Sequence, residues 1–119
     1  MFAAISGDFD PIHMDEEYAK ATLYGRRIVH GIATLGLMSA AESKISTRIV
    51  SRGGGGKPVS LGYDRIRFLK PVFIGDTLTA TYTVAEVQPD TARAVGKCEI
   101  TNQAGDLVVV GQHVFKWVS

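Results

Sequence analysis

Four consecutive glycines, Gly53 to Gly56, divide this chain into a half patterned for helices and a half patterned for strands. Glycine loses more backbone freedom on ordering than any other residue, so Ser51-Arg52-Gly53-Gly54-Gly55-Gly56-Lys57-Pro58 interrupts every periodicity and predicts a mobile loop. Upstream, Asp15-Glu16-Glu17 supplies an N-cap and acidic first turn to Tyr18-Ala19-Lys20-Ala21, and Gly25 ends the short helix or its following turn. From Gly31 to about Ile45, IATLGLMSAAESKI carries apolar or small residues on most faces, and Glu42 and Lys44 arrive only near its end. That pattern predicts a buried helix.

Downstream of Pro58 the texture is extended. Thr77-Leu78-Thr79-Ala80-Thr81-Tyr82-Thr83-Val84 alternates hydroxyls with apolar side chains, as a strand with one wet and one buried face does. The turn clusters Gln88-Pro89-Asp90-Thr91 and Asn102-Gln103-Ala104-Gly105 separate strands near 77–87, 92–101 and 106–117. A further strand near 60–69 ends at Lys70-Pro71, where proline removes a ladder donor. Hairpin-linked neighbours make an antiparallel sheet, and one long helix ahead of four strands reads as α+β with the sheet wrapped round the helix. At 119 residues, with no repeat or linker, residues 1–119 form a single domain.

A composition of 45% apolar and 21% charged residues with a net charge of +1 gives no electrostatic reason to expect a nucleic-acid partner. Cys98 has no second cysteine to pair with and no N-terminal targeting pattern is present, which leaves the cytoplasm as the default compartment. No apolar run reaches the roughly eighteen residues of a membrane span.

The densest chemistry lies in Ser6-Gly7-Asp8-Phe9-Asp10-Pro11-Ile12-His13, with two carboxylates and an imidazole. Pro11 fixes its own φ and restricts Asp10, so the stretch predicts a defined loop holding Asp8 and His13 toward one small volume. A water between those side chains can be deprotonated and oriented at once, as general acid–base catalysis requires. On residue types alone, a turn with solvated carboxylates explains the stretch equally simply.

SGDFDPIHMDEEYAKATLYGRRIVHGIATLGLMSA resembles the signature of the MaoC-like, or (R)-specific, enoyl-CoA hydratases. There Gly-Asp-x-Asn-Pro-x-His is followed, after a short helix, by Val-His-Gly and the central helix of a hot-dog fold. LGYDRIRFLKPVFIGDTLTATYTV is similar to that family's strand carrying Phe-x-x-Pro-Val, with its Gly-Asp turn and next strand. The resemblance implies that Asp8 and His13 are the catalytic pair, activating water for attack at Cβ of a trans-2-enoyl-CoA and delivering a proton to Cα. The implied product is an (R)-3-hydroxyacyl-CoA, and dehydration is the reverse. Gly31 matches the family's backbone N–H donor to the thioester oxygen. Negative charge develops on that oxygen in the transition state, and losing such a donor costs on the order of 3–4 kcal/mol. Acyl-CoA substrate, a homodimer or dimer of dimers, and the absence of metal or redox cofactor follow from the same resemblance.

Two departures stand out. Asp10 replaces the family's asparagine, so either it orients water or substrate in its own way or it points away from the site. Only Phe2-Ala3-Ala4-Ile5 precedes the motif, where the family carries a further strand and most of a helix. Rival readings are a hot-dog acyl-CoA thioesterase, whose acidic residue sits on the central helix, and a noncatalytic acyl-CoA-binding subunit.

Other residues read structurally. His30 is expected to be a hydrogen-bonded structural histidine, His113 to pack in the sheet, and Cys98 to fill the core. Without His-x-x-x-His or cysteine pairs the chain shows no metal-site spacing. GGGGKP fails as a phosphate loop because Pro58 stands where serine or threonine must bind magnesium. Arg26, Arg27, Arg65, Arg67 and Lys70 are candidates for CoA phosphates, and Val59 and Leu61 for the acyl tunnel wall.

Overall fold

The computed structural model describes residues 1–52 and 56–118. The mobile loop expected at 51–58 therefore falls partly, at Gly53–Gly55, outside the described residues. Its flanks are ordered differently than expected. The long helix α4 runs through Gly31–Ser51, beyond the predicted end near Ile45, and strand β1 begins at Pro58 itself (Pro58–Phe68). Proline is tolerated there because a strand's first residue need not donate to the ladder.

Strands β2 (Thr79–Gln88), β3 (Arg93–Thr101) and β4 (Leu107–Trp117) complete one sheet of order β1-β4-β3-β2, antiparallel throughout. The two C-terminal hairpins form where the turn residues predict. Pro89–Thr91 makes a 3-10 turn, and Asn102 accepts from the backbone N–H groups of Ala104 and Asp106 while Gly105 takes φ +80°. Three short helices precede α4: α1 (Phe2–Ser6), α2 (Pro11–Met14) and α3 (Glu16–Lys20). Asp15 caps α3 as expected, accepting from Glu17 and Tyr18 N–H, and Gly25 closes the following turns with φ +74°.

The core lies between α4 and the sheet, where Met38 meets Val72, Cys98, Ile100, Val108 and Val109. Cys98 belongs to it, as expected, and burial followed by the nearby charge of Glu42 pushes its thiol up to about 11. The helix is not buried all round. Its fully buried positions are Thr34, Met38, Glu42 and Ser46, spaced four apart along one stripe, while Ile32 and Leu37 face outward. Three of the four buried positions are polar, which a reading of hydrophobic periodicity misses. No helix among the described residues is long and apolar enough to cross a membrane.

Glu42 and His113 explain that polar stripe. His113 on β4 is fully buried, with Nε2 2.9 Å from Glu42 Oε2 and 2.8 Å from Ser60 Oγ, and Nδ1 2.8 Å from Tyr82 OH. Tyr63 OH donates to Glu42 Oε2 at 2.6 Å. Simple sheet packing of His113 without an acidic partner is thus corrected: the acid comes from the helix. Gly96, the cross-strand neighbour of His113, makes room for this arrangement, because a Cβ there would lie 2.1 Å from Tyr82 Cζ.

Candidate active site

The motif segment is more helical than the loop predicted from Pro11. Gly7 ends α1 in the left-handed conformation (φ +80°), and Asp8 N–H then donates to Ser6 Oγ at 3.1 Å. Pro11 starts α2 at a position where a missing N–H costs nothing. Asp10 is the N-cap of that helix: its Oδ1 accepts from Ile12 N–H at 2.9 Å. One oxygen of this second carboxylate beside Asp8 is thereby committed to the cap. Asp10 N–H also donates to Asp8 Oδ1 at 3.1 Å, fixing the orientation of the Asp8 carboxylate.

His13, on α2, donates from Nδ1 to the carbonyl of Ile28 at 2.8 Å. A carbonyl can only accept, so Nδ1 carries a proton and Nε2 is the nitrogen left free of this contact. Ile28 is itself pinned, its N–H donating to Ile12 O and its backbone bridging Phe73, while Val29 N–H donates to Val72 O at 2.7 Å. The segment leading into α4 therefore anchors the imidazole to the stretch around Val72 and Phe73 that follows β1.

Ligand-capable atoms of Asp8, His13 and His30 lie within 4.8 Å of one another. A water hydrogen-bonded to two groups at about 2.8 Å each spans roughly 4.5 Å, so Asp8 and His13 are close enough for one water to serve both. The same three residues are the only group among the described residues with the count of a metal site. Their orientation does not suit an ion: the His13 and His30 rings stack at 4.0 Å with planes 27° apart, which sends their in-plane lone pairs side by side instead of toward a common point.

Gly31 is the first residue of α4, where helix geometry leaves the N–H without an intrahelical acceptor. It lines a cavity of about 240 Å³ together with His13, Val29, Thr34, Phe68, Leu69 and Val72. A Cβ on Gly31 would sit 3.0 Å from three atoms of the Phe68 ring, so glycine lets ring and backbone close on each other. Phe68 opens the Phe-x-x-Pro-Val motif, and the sequence reading gave it no part in the site, yet its ring lines this cavity.

Other expectations fare differently. Val59 and Leu61 stand on β1 away from this cavity and do not wall it. Lys70 does line it, while pairing with Asp106 at 3.6 Å. Arg27 pairs with Glu16 at 3.1 Å, Arg26 lies 3.8 Å over the Phe73 ring, and Arg67 Nη1 donates to its neighbour's carbonyl. His30 is buried and hydrogen-bonded, as expected, yet it sits against the motif and not apart from it.

A long helix laid on an antiparallel sheet is the arrangement of the hot-dog fold. The (R)-hydratase of Aeromonas caviae involved in PHA biosynthesis superposes with a TM-score of 0.78 at 35% identity, over 98% of this chain and 82% of that one. The curated (R)-specific enoyl-CoA hydratase of Aeromonas caviae is 35% identical over 115 residues, covering 97% of this chain and 80% of the relative. The 3-hydroxybutyryl-CoA dehydratase of Methylorubrum extorquens is 40% identical over 109 residues, 92% of this chain and 63% of the relative. Residues 1–105 match the family described as MaoC like domain, and the chain belongs to that family.

Proposed function

We propose that this protein is a hydro-lyase that adds water to a trans-2-enoyl-CoA to give an (R)-3-hydroxyacyl-CoA, or runs the reverse dehydration. The observation that carries this reading is the gathering of Asp8 and His13, with ligand atoms within 4.8 Å of each other and the imidazole held through Nδ1 by Ile28 O, at a cavity shared with the Gly31 N–H at the head of a 21-residue helix. Water gives up a proton to the pair as its oxygen bonds Cβ, and the pair returns a proton to Cα, so one water is added and no redox change occurs. Charge moving onto the thioester oxygen meets the Gly31 N–H and the positive end of α4. No metal or redox cofactor is needed. The names of the relatives at 35–40% identity support the same reaction.

Glu42 argues against the thioesterase alternative. An acid on the central helix would have to activate water, but Glu42 is buried and already accepts from Tyr63 and His113.

The test is loss of the ultraviolet absorbance of the enoyl-thioester conjugation on mixing the protein with crotonyl-CoA. Asp8→Asn and His13→Ala should each lower turnover by about a hundredfold or more with the fold intact. Near-wild-type activity in either variant would sink the assignment.

A further inference from the structure

His30 touches each part of the site without being one of the acid–base pair. Its Nε2 lies 2.9 Å from the carbonyl oxygen of Asp8, and since a carbonyl only accepts, Nε2–H donates. Its ring stacks on His13 at 4.0 Å and is backed on α1 by Phe2 at 4.8 Å. Its own backbone is the N-cap of α4, immediately before Gly31. The residue is only 9% exposed, whereas Asp8 lies in an exposed turn with no helix or strand of its own.

We propose that His30 is a positioning residue for the hydration proposed above: it clamps the main chain of Asp8 to the start of α4. The Asp8 carboxylate and the Gly31 N–H must act on the same substrate, at Cβ or Cα and at the thioester oxygen respectively. They belong to different segments, and within the described residues the hydrogen bond from His30 to Asp8 O ties one directly to the other. The ring stack then sets the plane of His13, whose other nitrogen is held by Ile28 O. The clamp belongs to the free enzyme, so its loss acts on the geometry of the reacting groups and not on the cavity that takes the acyl chain. A misplacement of about 1 Å in such a group costs up to about a hundredfold in rate.

Two substitutions separate the parts of this role. His30→Gln keeps an N–H donor near the position of Nε2 and removes the ring. His30→Phe keeps a ring to stack and removes the donor, leaving an Asp8 carbonyl that water can reach. With crotonyl-CoA, His30→Phe should lower kcat by about tenfold or more while KM changes by less than about threefold. His30→Gln should recover most of that loss. Equal losses in both variants, or an unchanged kcat in His30→Phe, would overturn the clamp.

A readout independent of substrate accompanies the kinetics. Long-range nitrogen–proton NMR on the wild-type protein should show His30 protonated on Nε2 and His13 on Nδ1. A His30 protonated on Nδ1 instead would overturn the inference whatever the activity. If wild type leaves crotonyl-CoA unchanged, or Asp8→Asn matches it, the hydratase reading fails, and the tautomer of His30 still decides the clamp.

Discussion

At the scale of single residues, the site depends on where protons sit and how close backbone can come. Ile28 O holds the Nδ1–H of His13, which leaves Nε2 as the proposed base, and Asp10 gives one carboxylate oxygen to a helix cap. Gly31 shows how a small steric demand becomes a functional one. An alanine Cβ would press on the Phe68 ring, but that ring is 49% exposed and can give way, and alanine favours the helix by up to about 1 kcal/mol. The two effects offset, so Gly31→Ala should leave the thermal midpoint nearly unchanged. The displaced ring and the added methyl group crowd the thioester's approach to the N–H, and kcat/KM should fall by about tenfold or more. Steady-state kinetics beside a melting curve checks both halves.

At the scale of elements, α4 is joined to three strands by buried polar side chains. Glu42 holds Tyr63 of β1 and His113 of β4, and His113 holds Tyr82 of β2. Burial, with the Glu42 charge adding to it, raises the Tyr63 and Tyr82 hydroxyls well above their ordinary range, so both stay neutral donors. Removing the shared acceptor with Glu42→Ala leaves the Tyr63 phenol without its partner and the His113 N–H with Ser60 Oγ alone, which should cost about 1–3 kcal/mol in chemical denaturation. The cluster also makes stability depend on pH. Burial lowers the pKa of His113 below its usual 6.5, outweighing the opposing attraction of Glu42. Below about 6.5 the unfolded chain therefore binds a proton that the folded chain refuses, and stability falls as pH drops until the folded histidine titrates. Urea midpoints at pH 7.5 and pH 5.5 should differ more for wild type than for His113→Gln, where this contribution is gone. Equal pH sensitivity in the two proteins would remove His113 from the explanation.

At the scale of the whole molecule, the sheet ends in two strands, β1 and β2, that pair on one side only among the described residues. Val59 and Leu61 on β1, and Ile32 and Leu37 on α4, expose apolar surface beside them. Open edges and apolar patches of this kind are what association covers. A homodimer is the proposed solution state, and small-angle scattering at micromolar concentration should give a mass near twice 12.8 kDa. A monomer mass would count against it and would leave the apolar face of α4 to another occupant.

How much of this was legible in the chain follows from the range of the forces involved. Turn chemistry, capping and strand alternation are local, and they placed Asp15, Gly25, the two C-terminal hairpins and the antiparallel sheet from sequence. The spacing of Asp8, Pro11 and His13, with Gly31 after Val-His, marked the candidate site because those residues lie within one short segment and one helix start. What tertiary structure alone decided are the contacts between segments far apart in the chain. The pairing of Glu42 with His113 carries no local signal, since a buried acid on a helix looks like a solvated one until the sheet closes over it. Likewise His30 reads as any histidine beside a helix, and only folding brings its ring onto His13 and its N–H to Asp8, because hydrogen-bond geometry is satisfied in space and not along the chain.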